Sequence, residues 1–302
     1  SGSILFSLDD KYIFYSKLDE NHRPKEIFRH EIGTSTKNDV LIFNEKTDAF
    51  TVNIGLSSDE KFYFITSSDH NTSEQYYFDV NEKNPTPKLI QKRERGVLYS
   101  VNSWDGYFYM HTNKNAEDFK IEKTKSIDFN KWKTFIPAKK ETLIGGLTFL
   151  ENWIIRSEVS NALGKIFVRN LITNIEEELI FSDEKVYDGS ISLIQKDKKT
   201  DLIHISYSTP KTQSRVYLYN LKTKEKKLVK EQVIPSSHNP DDYIVERLNC
   251  DAHDGRKIPI TILRHKKTKI DGNANLLLYG YGSYGNSISP SFSSTKLSLV
   301  NR

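Results

Sequence analysis

The chain has 302 residues, of which 36% are apolar and 12% aromatic, so it can bury the core of one large domain or two. Its net charge of +4 comes from 44 basic and 40 acidic residues, and no basic stripe interleaved with aromatic residues is present, which argues against a nucleic-acid partner. The single cysteine, Cys250, excludes an intramolecular disulfide and favours a cytoplasmic setting, and no apolar run reaches the about 18 residues of a membrane-spanning helix.

An internal repeat with a period of about 46 residues organises the first 230 residues. A polar turn followed by an aromatic or aliphatic strand recurs, and the first apolar residues after the turns are Tyr12, Phe62, Tyr107, Trp153 and Leu202. A second strand keeps the same phase at residues 27–28, 76–78, 119–121, 166–168 and 216–219. A third follows at residues 41–43, 88–90, 134–136, 179–181 and 228–229. A fourth fits before the turns at residues 50–54, 97–101, 143–147 and 191–194.

Four short strands in each repeat are typical of β-propeller blades. The sequence therefore predicts a mainly β fold with about five blades. The alternative is a β-sandwich whose strands share this rhythm by chance. A propeller ring left open exposes two apolar blade faces, so we expect further blades outside this sequence.

The repeat gives way to a polar, proline-containing linker at residues 232–242, which predicts one domain at residues 1–231 and another at 232–302. A hairpin is predicted next, with strands at residues 243–250 and 257–263 around an Asp254-Gly255 turn. The apolar run at residues 275–279 then predicts a buried strand that ends in glycines. This order of elements is how an α/β-hydrolase sheet begins.

The glycines after that strand also match a dinucleotide fingerprint, Gly280-x-Gly282-x-x-Gly285. The fingerprint requires a helix that starts at the glycines and an acidic residue about 20 positions further on. Residues 286–291 are poor helix formers with an internal proline, and no such acidic residue follows. Nucleotide binding is therefore not expected.

Residues 279–285, Tyr-Gly-Tyr-Gly-Ser-Tyr-Gly, with the nearby segments 291–293 and 297–299, resemble the prolyl oligopeptidase family of serine peptidases. The resemblance is strongest to its oligopeptidase B branch, also called protease II, and extends through residues 240–243, 252–255 and 258–260 into the repeats. It implies a seven-bladed β-propeller that caps an α/β-hydrolase domain. It also implies an endopeptidase that cleaves short peptides after Arg or Lys, with the propeller controlling substrate access.

The resemblance assigns roles to individual residues near the end of the chain. Tyr281 would donate its hydroxyl to the oxyanion of the tetrahedral intermediate, and Tyr284 would line the pocket for the substrate residue before the cut. The alternative for both tyrosines is a packed aromatic at a strand exit. Ser289 and Ser291 occupy substrate-binding positions where this branch often carries two acidic residues, so a preference for a second basic substrate residue does not carry over.

The catalytic triad of such a peptidase needs a Gly-x-Ser-x-Gly elbow followed by Asp and His. Residues 1–302 contain no such pattern, and all eight histidines precede the position where a triad histidine would fall. No metal spacing such as His-Glu-x-x-His is present, so neither a metal nor a cofactor is expected. We therefore expect a segment of a longer enzyme, inactive alone, whose partners are Arg- or Lys-containing peptides and the remaining blades and hydrolase domain. The rival hypothesis is a non-catalytic β-propeller that serves as a binding module.

Overall fold

The computed structural model describes residues 2–125, 131–180, 182–194 and 197–302, and the chain divides into two compact units, Ser1–Lys140 and Glu141–Arg302. The first unit contains three four-stranded antiparallel sheets. Sheet 1 consists of β1 (Ile4–Phe6), β2 (Tyr12–Leu18), β3 (Pro24–Glu31) and β4 (Val40–Asn44), with a 3₁₀ turn at Thr36–Asn38. Sheet 2 consists of β5 (Thr51–Leu56), β6 (Phe62–Ser68), β7 (Ser73–Asp79) and β8 (Lys88–Gln91). Sheet 3 consists of β9 (Tyr99–Trp104), β10 (Tyr107–Thr112), β11 (Lys120–Thr124) and β12 (Lys133–Ile136).

The second unit contains two further four-stranded antiparallel sheets and a separate hairpin. Sheet 4 consists of β13 (Thr142–Leu150), β14 (Trp153–Ser160), β15 (Leu163–Asn170) and β16 (Glu176–Glu178). Sheet 5 consists of β17 (Asp188–Leu193), β18 (Leu202–Ser208), β19 (Arg215–Asn220) and β20 (Lys226–Glu231). A 3₁₀ turn at Pro240–Asp242 leads into the hairpin of β21 (Tyr243–Asp251) and β22 (Lys257–His265). A 3₁₀ turn at Ser283–Gly285 and the helix α1 (Ser294–Val300) follow.

The polar turns that mark the repeat are held by their own side chains. In sheet 2, the Ser57 hydroxyl accepts a hydrogen bond from the Phe62 amide at 3.0 Å and donates one to the Asp59 carboxylate at 2.8 Å. In sheet 1, Ser7 and Asp9 form the same arrangement, with a Ser7-to-Asp9 hydrogen bond of 2.7 Å. These local bonds satisfy backbone groups at a tight reversal, so the strand before each turn pairs with the strand after it.

The core of the first unit lies between neighbouring sheets. One cluster joins sheets 1 and 2, with Phe14 and Ile27 packed against residues that include Ile65 and Phe78. A second cluster joins sheets 2 and 3, where the buried members are Phe64, Tyr77, Ile90, Tyr99, Val101, Phe108 and Met110. A four-stranded sheet alone leaves both of its faces open to water, so face-to-face stacking of successive sheets supplies the hydrophobic stabilisation.

Sheets 4 and 5 of the second unit stack in the same way. Their shared cluster includes Ile155 and Val168 from sheet 4 with Ile203 and Ile205 from sheet 5, and both sheet 5 residues are fully buried. The regular spacing of four-stranded sheets and the apolar contacts between successive sheets match the repeat predicted from the sequence.

An ionic cluster with two buried carboxylates joins the residues that follow β4 and β8 to β7 in the first unit. The Arg93 guanidinium pairs with Glu45 at 2.7 Å and with Glu74 at 2.8 Å. Glu45 also accepts hydrogen bonds from the Ser67 hydroxyl at 2.5 Å and from the Thr47 amide at 2.9 Å. Burial by itself would raise the pKa of Glu45, but the hydrogen bonds from Ser67, Arg93 and Thr47 outweigh it and lower that pKa to about 2.

The last strand of sheet 4 differs from the prediction, which placed it at residues 179–181. The structure has it at Glu176–Glu178, and the first of these glutamates accepts two hydrogen bonds from Arg156, at 2.9 and 3.0 Å, and one from Arg169 at 3.1 Å. Ion pairs with the neighbouring strands stabilise β16. The prediction instead followed the apolar residues 179–181, which come directly after it. Ile180 is 71% exposed, and Phe181 lies outside the described residues.

Candidate functional site

The predicted site residues lie in an irregular segment between β22 and α1. Every residue of this segment, 266–293, is described, and the buried strand predicted at residues 275–279 does not form there. Leu276, Leu277 and Leu278 are 82%, 71% and 78% exposed. A strand needs a neighbour for its backbone hydrogen bonds, and in the described part of the chain neither β21 nor β22 pairs with residues 275–279. The prediction of a buried strand at this position is therefore wrong for this structure.

Tyr281 precedes a tight turn on the surface, and Tyr284 lies within that turn. Their side chains are 52% and 87% exposed among the described residues. Tyr284 has a φ of 58° and Gly285 a φ of 70°, which places two successive residues in the left-handed region. The Asn286 amide closes the turn by donating to the Ser283 carbonyl at 3.2 Å. A side chain at position 285 would be strained, so the backbone favours glycine there.

The three glycines of the fingerprint do not meet a helix. The element at their position is the three-residue 3₁₀ turn Ser283–Gly285, and the next helix begins at Ser294. A dinucleotide site uses the amides at the N-terminus of a longer helix to hold the pyrophosphate. The geometry of residues 280–285 does not provide that group of amides.

The two serines predicted to bind substrate follow the turn. Ser289 is exposed and Ser291 is half-buried, while Pro290 between them is buried. The structure therefore brings the four predicted residues into one segment, with Tyr281, Tyr284 and Ser289 facing solvent. Their predicted roles in a peptidase remain predictions, since they depend on groups outside residues 1–302.

The base of this segment is closed by four aromatic rings, which we call the base cluster: His238, Tyr243, His265 and Phe292. The His238 ring lies 5.3 Å from the Tyr243 ring and 5.3 Å from the Phe292 ring, measured between centroids. The Tyr243 ring lies 5.6 Å from the His265 ring in an edge-to-face arrangement. The chain therefore leaves β22 and returns before α1 at the same group of rings.

Sequence reasoning assigned no functional role to His238 or Phe292. Phe292 lies 54 positions after His238, and neither belongs to an apolar repeat, so no local pattern links them. The buried residue Leu297 and the capping hydroxyl of Ser293, which accepts from the Lys296 amide at 3.4 Å, also make α1 possible. A helix this short gives no periodic signal in the sequence and was not predicted.

Among residues 2–125, 131–180, 182–194 and 197–302, no three His, Cys, Asp or Glu side chains come together in a way that could hold a metal ion. Over the same residues, no helix is both long and apolar enough to cross a membrane.

The repeats match a known domain. Residues 2–232 correspond to the family described as "Prolyl oligopeptidase, N-terminal beta-propeller domain". The chain belongs to the prolyl oligopeptidase family. The five four-stranded sheets in the described part of the chain are therefore blades of that family's β-propeller, which confirms the predicted mainly β fold and excludes the β-sandwich alternative.

Curated relatives extend the match beyond the propeller. Protease 2 of Moraxella lacunata is 29% identical over 301 residues, which cover 100% of this chain and 43% of the relative. Dipeptidyl aminopeptidase BI of Pseudoxanthomonas mexicana is 30% identical over 305 residues, covering 99% of this chain and 42% of the relative. The chain thus spans less than half the length of the relatives that it matches.

Solved structures share the same arrangement of elements. Oligopeptidase B from Trypanosoma brucei, solved in a closed form with covalently bound antipain, matches 99% of this chain with a TM-score of 0.91 and 27% identity, over 44% of its own length. Oligopeptidase B from Leishmania major matches 99% of this chain with a TM-score of 0.89 and 21% identity, over 43% of its own length, and supports the fold alone.

Proposed function

We propose that this chain is the propeller, together with the first part of the α/β-hydrolase domain, of an oligopeptidase B-like serine endopeptidase. In this proposal residues 1–231 admit short peptides and residues 232–302 begin the peptidase domain, which cleaves after Arg or Lys. The observation that carries the proposal is the TM-score of 0.91 over 99% of the chain with the Trypanosoma brucei oligopeptidase B. The Tyr-Gly motif at residues 279–285 supports the same assignment.

In the proposed reaction, Tyr281 donates its hydroxyl hydrogen to the oxyanion that develops when a nucleophile attacks the peptide carbonyl. Its half-exposed phenol precedes a turn that the left-handed backbone of Tyr284 and Gly285 defines. Such a donor stabilises the transition state more than the ground state, because negative charge grows on the oxygen only during attack. Tyr284 contacts the substrate residue before the cut, while Ser289 and Ser291 offer hydroxyls in place of carboxylates to further substrate residues.

Residues 1–302 contain no Gly-x-Ser-x-Gly elbow, so they do not supply the nucleophile or its base. An oxyanion donor without nucleophile and base retains little activity. We therefore expect no hydrolysis of peptides by residues 1–302 alone. A cytoplasmic setting is part of the proposal and is supported by the single cysteine, Cys250, which is free and exposed.

The test is turnover of a fluorogenic peptide with Arg before the reporter group. It compares residues 1–302 with the product of the complete reading frame, and we expect activity only in the latter. In that product, Tyr281→Phe should lower kcat by about 100-fold. Tyr279→Phe is the matched control, since Tyr279 lies in the same segment and is 69% exposed, and it should retain normal kcat.

Two results would count against this function. Absence of turnover in both proteins would favour the non-catalytic binding module instead. Equal kcat values for the Tyr281→Phe and Tyr279→Phe variants would remove the oxyanion role from Tyr281. An N-terminally acetylated Arg peptide adds a further distinction, because an endopeptidase cleaves it and an enzyme that requires a free N-terminus does not.

A further inference from the structure

The segment that carries Tyr281 and Tyr284 has little support along its own length. Leu276, Leu277, Leu278 and both tyrosines are more than half exposed. Burial begins again at Pro290 and continues at Leu297 of α1, which is 5% exposed. A segment with so few buried contacts takes its order from the points where it is attached.

Those points of attachment meet at the base cluster. His265 is the last residue of β22 and Phe292 lies just before α1, so the cluster joins the two ends of the segment. Closing a long flexible loop costs conformational entropy, and contacts between its ends offset that cost. The Lys266 backbone amide donates a hydrogen bond to the Asp242 carbonyl at 2.8 Å, and the side chains of these two residues form an ion pair at 2.7 Å.

Hydrogen bonds join three residues of the cluster to other elements. The His238 Nε2 atom lies 2.6 Å from the Lys211 carbonyl oxygen, which can only accept, so this nitrogen carries the proton. The Tyr243 hydroxyl donates to the Asn301 side chain at 2.9 Å, at the end of α1. The Phe292 amide donates to the Ser208 hydroxyl at 3.4 Å, at the end of β18.

We propose that His238 is a positioning residue that holds the base of the Tyr281 segment closed. Its ring packs against both Tyr243 and Phe292, and its Nε2–H donates to the Lys211 carbonyl oxygen. Loss of the imidazole separates Phe292 from Tyr243 and frees the end of the segment. The effect on catalysis rests on the proposed function, whereas the ordering of the segment does not.

Hydrogen–deuterium exchange on residues 1–302 tests the ordering directly. His238→Ala should raise the exchange rate in peptides covering residues 286–302 by about fivefold or more, because the free energy needed to open this region becomes smaller. His238→Phe keeps the aromatic packing and should recover at least half of that protection on a logarithmic scale. His253→Ala is the matched control, since His253 lies on an exposed hairpin turn, and it should leave exchange unchanged.

Peptides from β1–β20 report whether each variant folds, and their exchange should stay the same. Should His238→Ala unfold the second unit, Phe292→Ala provides the second test with the same expected pattern. Unchanged exchange in residues 286–302 for a folded His238→Ala or Phe292→Ala variant overturns the proposal. Failure of His238→Phe to restore protection also overturns it.

The catalytic consequence is measured in the product of the complete reading frame. His238→Ala should lower kcat by about fivefold with KM within twofold, because a misplaced donor weakens binding of the transition state. His238→Phe should restore most of the kcat. Faster exchange without a change in kcat would show that His238 has a structural role only, which overturns the positioning role. Absence of activity in the unchanged enzyme would instead refute the proposed function, and the exchange data would still decide the role of the base cluster.

Discussion

Replacing Arg93 with alanine should destabilise the first unit, because this side chain is the cation between two buried carboxylates. Its guanidinium contacts Glu45 at 2.7 Å and Glu74 at 2.8 Å, and it lies 4.2 Å from the centre of the Phe50 ring. The side chains of Glu45 and Glu74 are 3% and 6% exposed. The variant would leave both carboxylates buried without the cation that joins them.

The expected loss follows from the burial of the three groups. Removing one partner of a buried ion pair costs about 3–5 kcal/mol. Arg93 is 25% exposed, so water reaches the site, and we expect the lower end, about 3 kcal/mol. For a unit of this size the Tm should fall by about 10 °C.

The pH dependence of this loss follows from the pKa of Glu45. In the folded chain its pKa is lowered from 4.5 to about 2, so its contribution to stability is present above pH 4.5 and disappears as the pH falls towards 2. Without Arg93, burial and the nearby Glu74 carboxylate would favour the protonated form of Glu45. The difference in stability between the two proteins should therefore shrink as the pH falls from 7 to 4.

Urea unfolding, followed by circular dichroism at several pH values, measures both effects. The control is Lys114→Ala, which removes an exposed ion pair with Glu94 at 2.7 Å and should cost less than about 0.5 kcal/mol. A loss below about 1 kcal/mol for Arg93→Ala at pH 7 would refute the reasoning, as would a difference that grows at low pH.

Two further substitutions test the packing of the second unit. Gly145→Ala should destabilise it by about 1–3 kcal/mol, because the added Cβ would lie 2.2 Å from the Ser157 hydroxyl and 2.9 Å from the Ser157 carbonyl oxygen. The control is Gly146→Ala, whose added Cβ would meet nothing within 4 Å. Equal urea midpoints for the two variants would contradict the steric argument. Ile205→Ala should cost about 3–4 kcal/mol in free energy of unfolding, because Ile205 is fully buried between sheets 4 and 5. Ile172→Ala, at a residue 77% exposed, should change that free energy by less than about 0.5 kcal/mol, and similar losses for both isoleucines would refute the assigned core.

The blades were predictable because residues that are close together in the sequence stabilise each of them. An apolar strand next to a polar turn produces both the hairpin and the buried face, as at Ser57 and Phe62, so the pattern survives in the sequence five times. The strand Glu176–Glu178 is the exception, because the apolar pattern did not predict it. Its partners, Arg156 and Arg169, lie on other strands, and a strand held by charges carries no apolar alternation.

The candidate site was only partly predictable. The Tyr-Gly motif identified the segment that carries Tyr281 and Tyr284, but its apolar content suggested a strand that lacks a pairing partner in the structure. Local composition reports whether a segment favours a strand, and it does not report whether a neighbouring edge is present. The contact between His238 and Phe292 likewise joins residues that are far apart in the sequence, so local composition does not report it.

The outer strand of sheet 5 has a consequence for how copies of this chain behave in concentrated solution. All six residues of β20 are exposed, and Lys227 and Lys230 flank Leu228 and Val229, which are 46% and 48% exposed. The free edge of an outer strand with two adjacent aliphatic side chains is a template for aggregation. Here a second copy aligned against it would bring ammonium groups together on both sides of the aliphatic pair. The lysines thus act as gatekeepers that keep this edge from recruiting further strands.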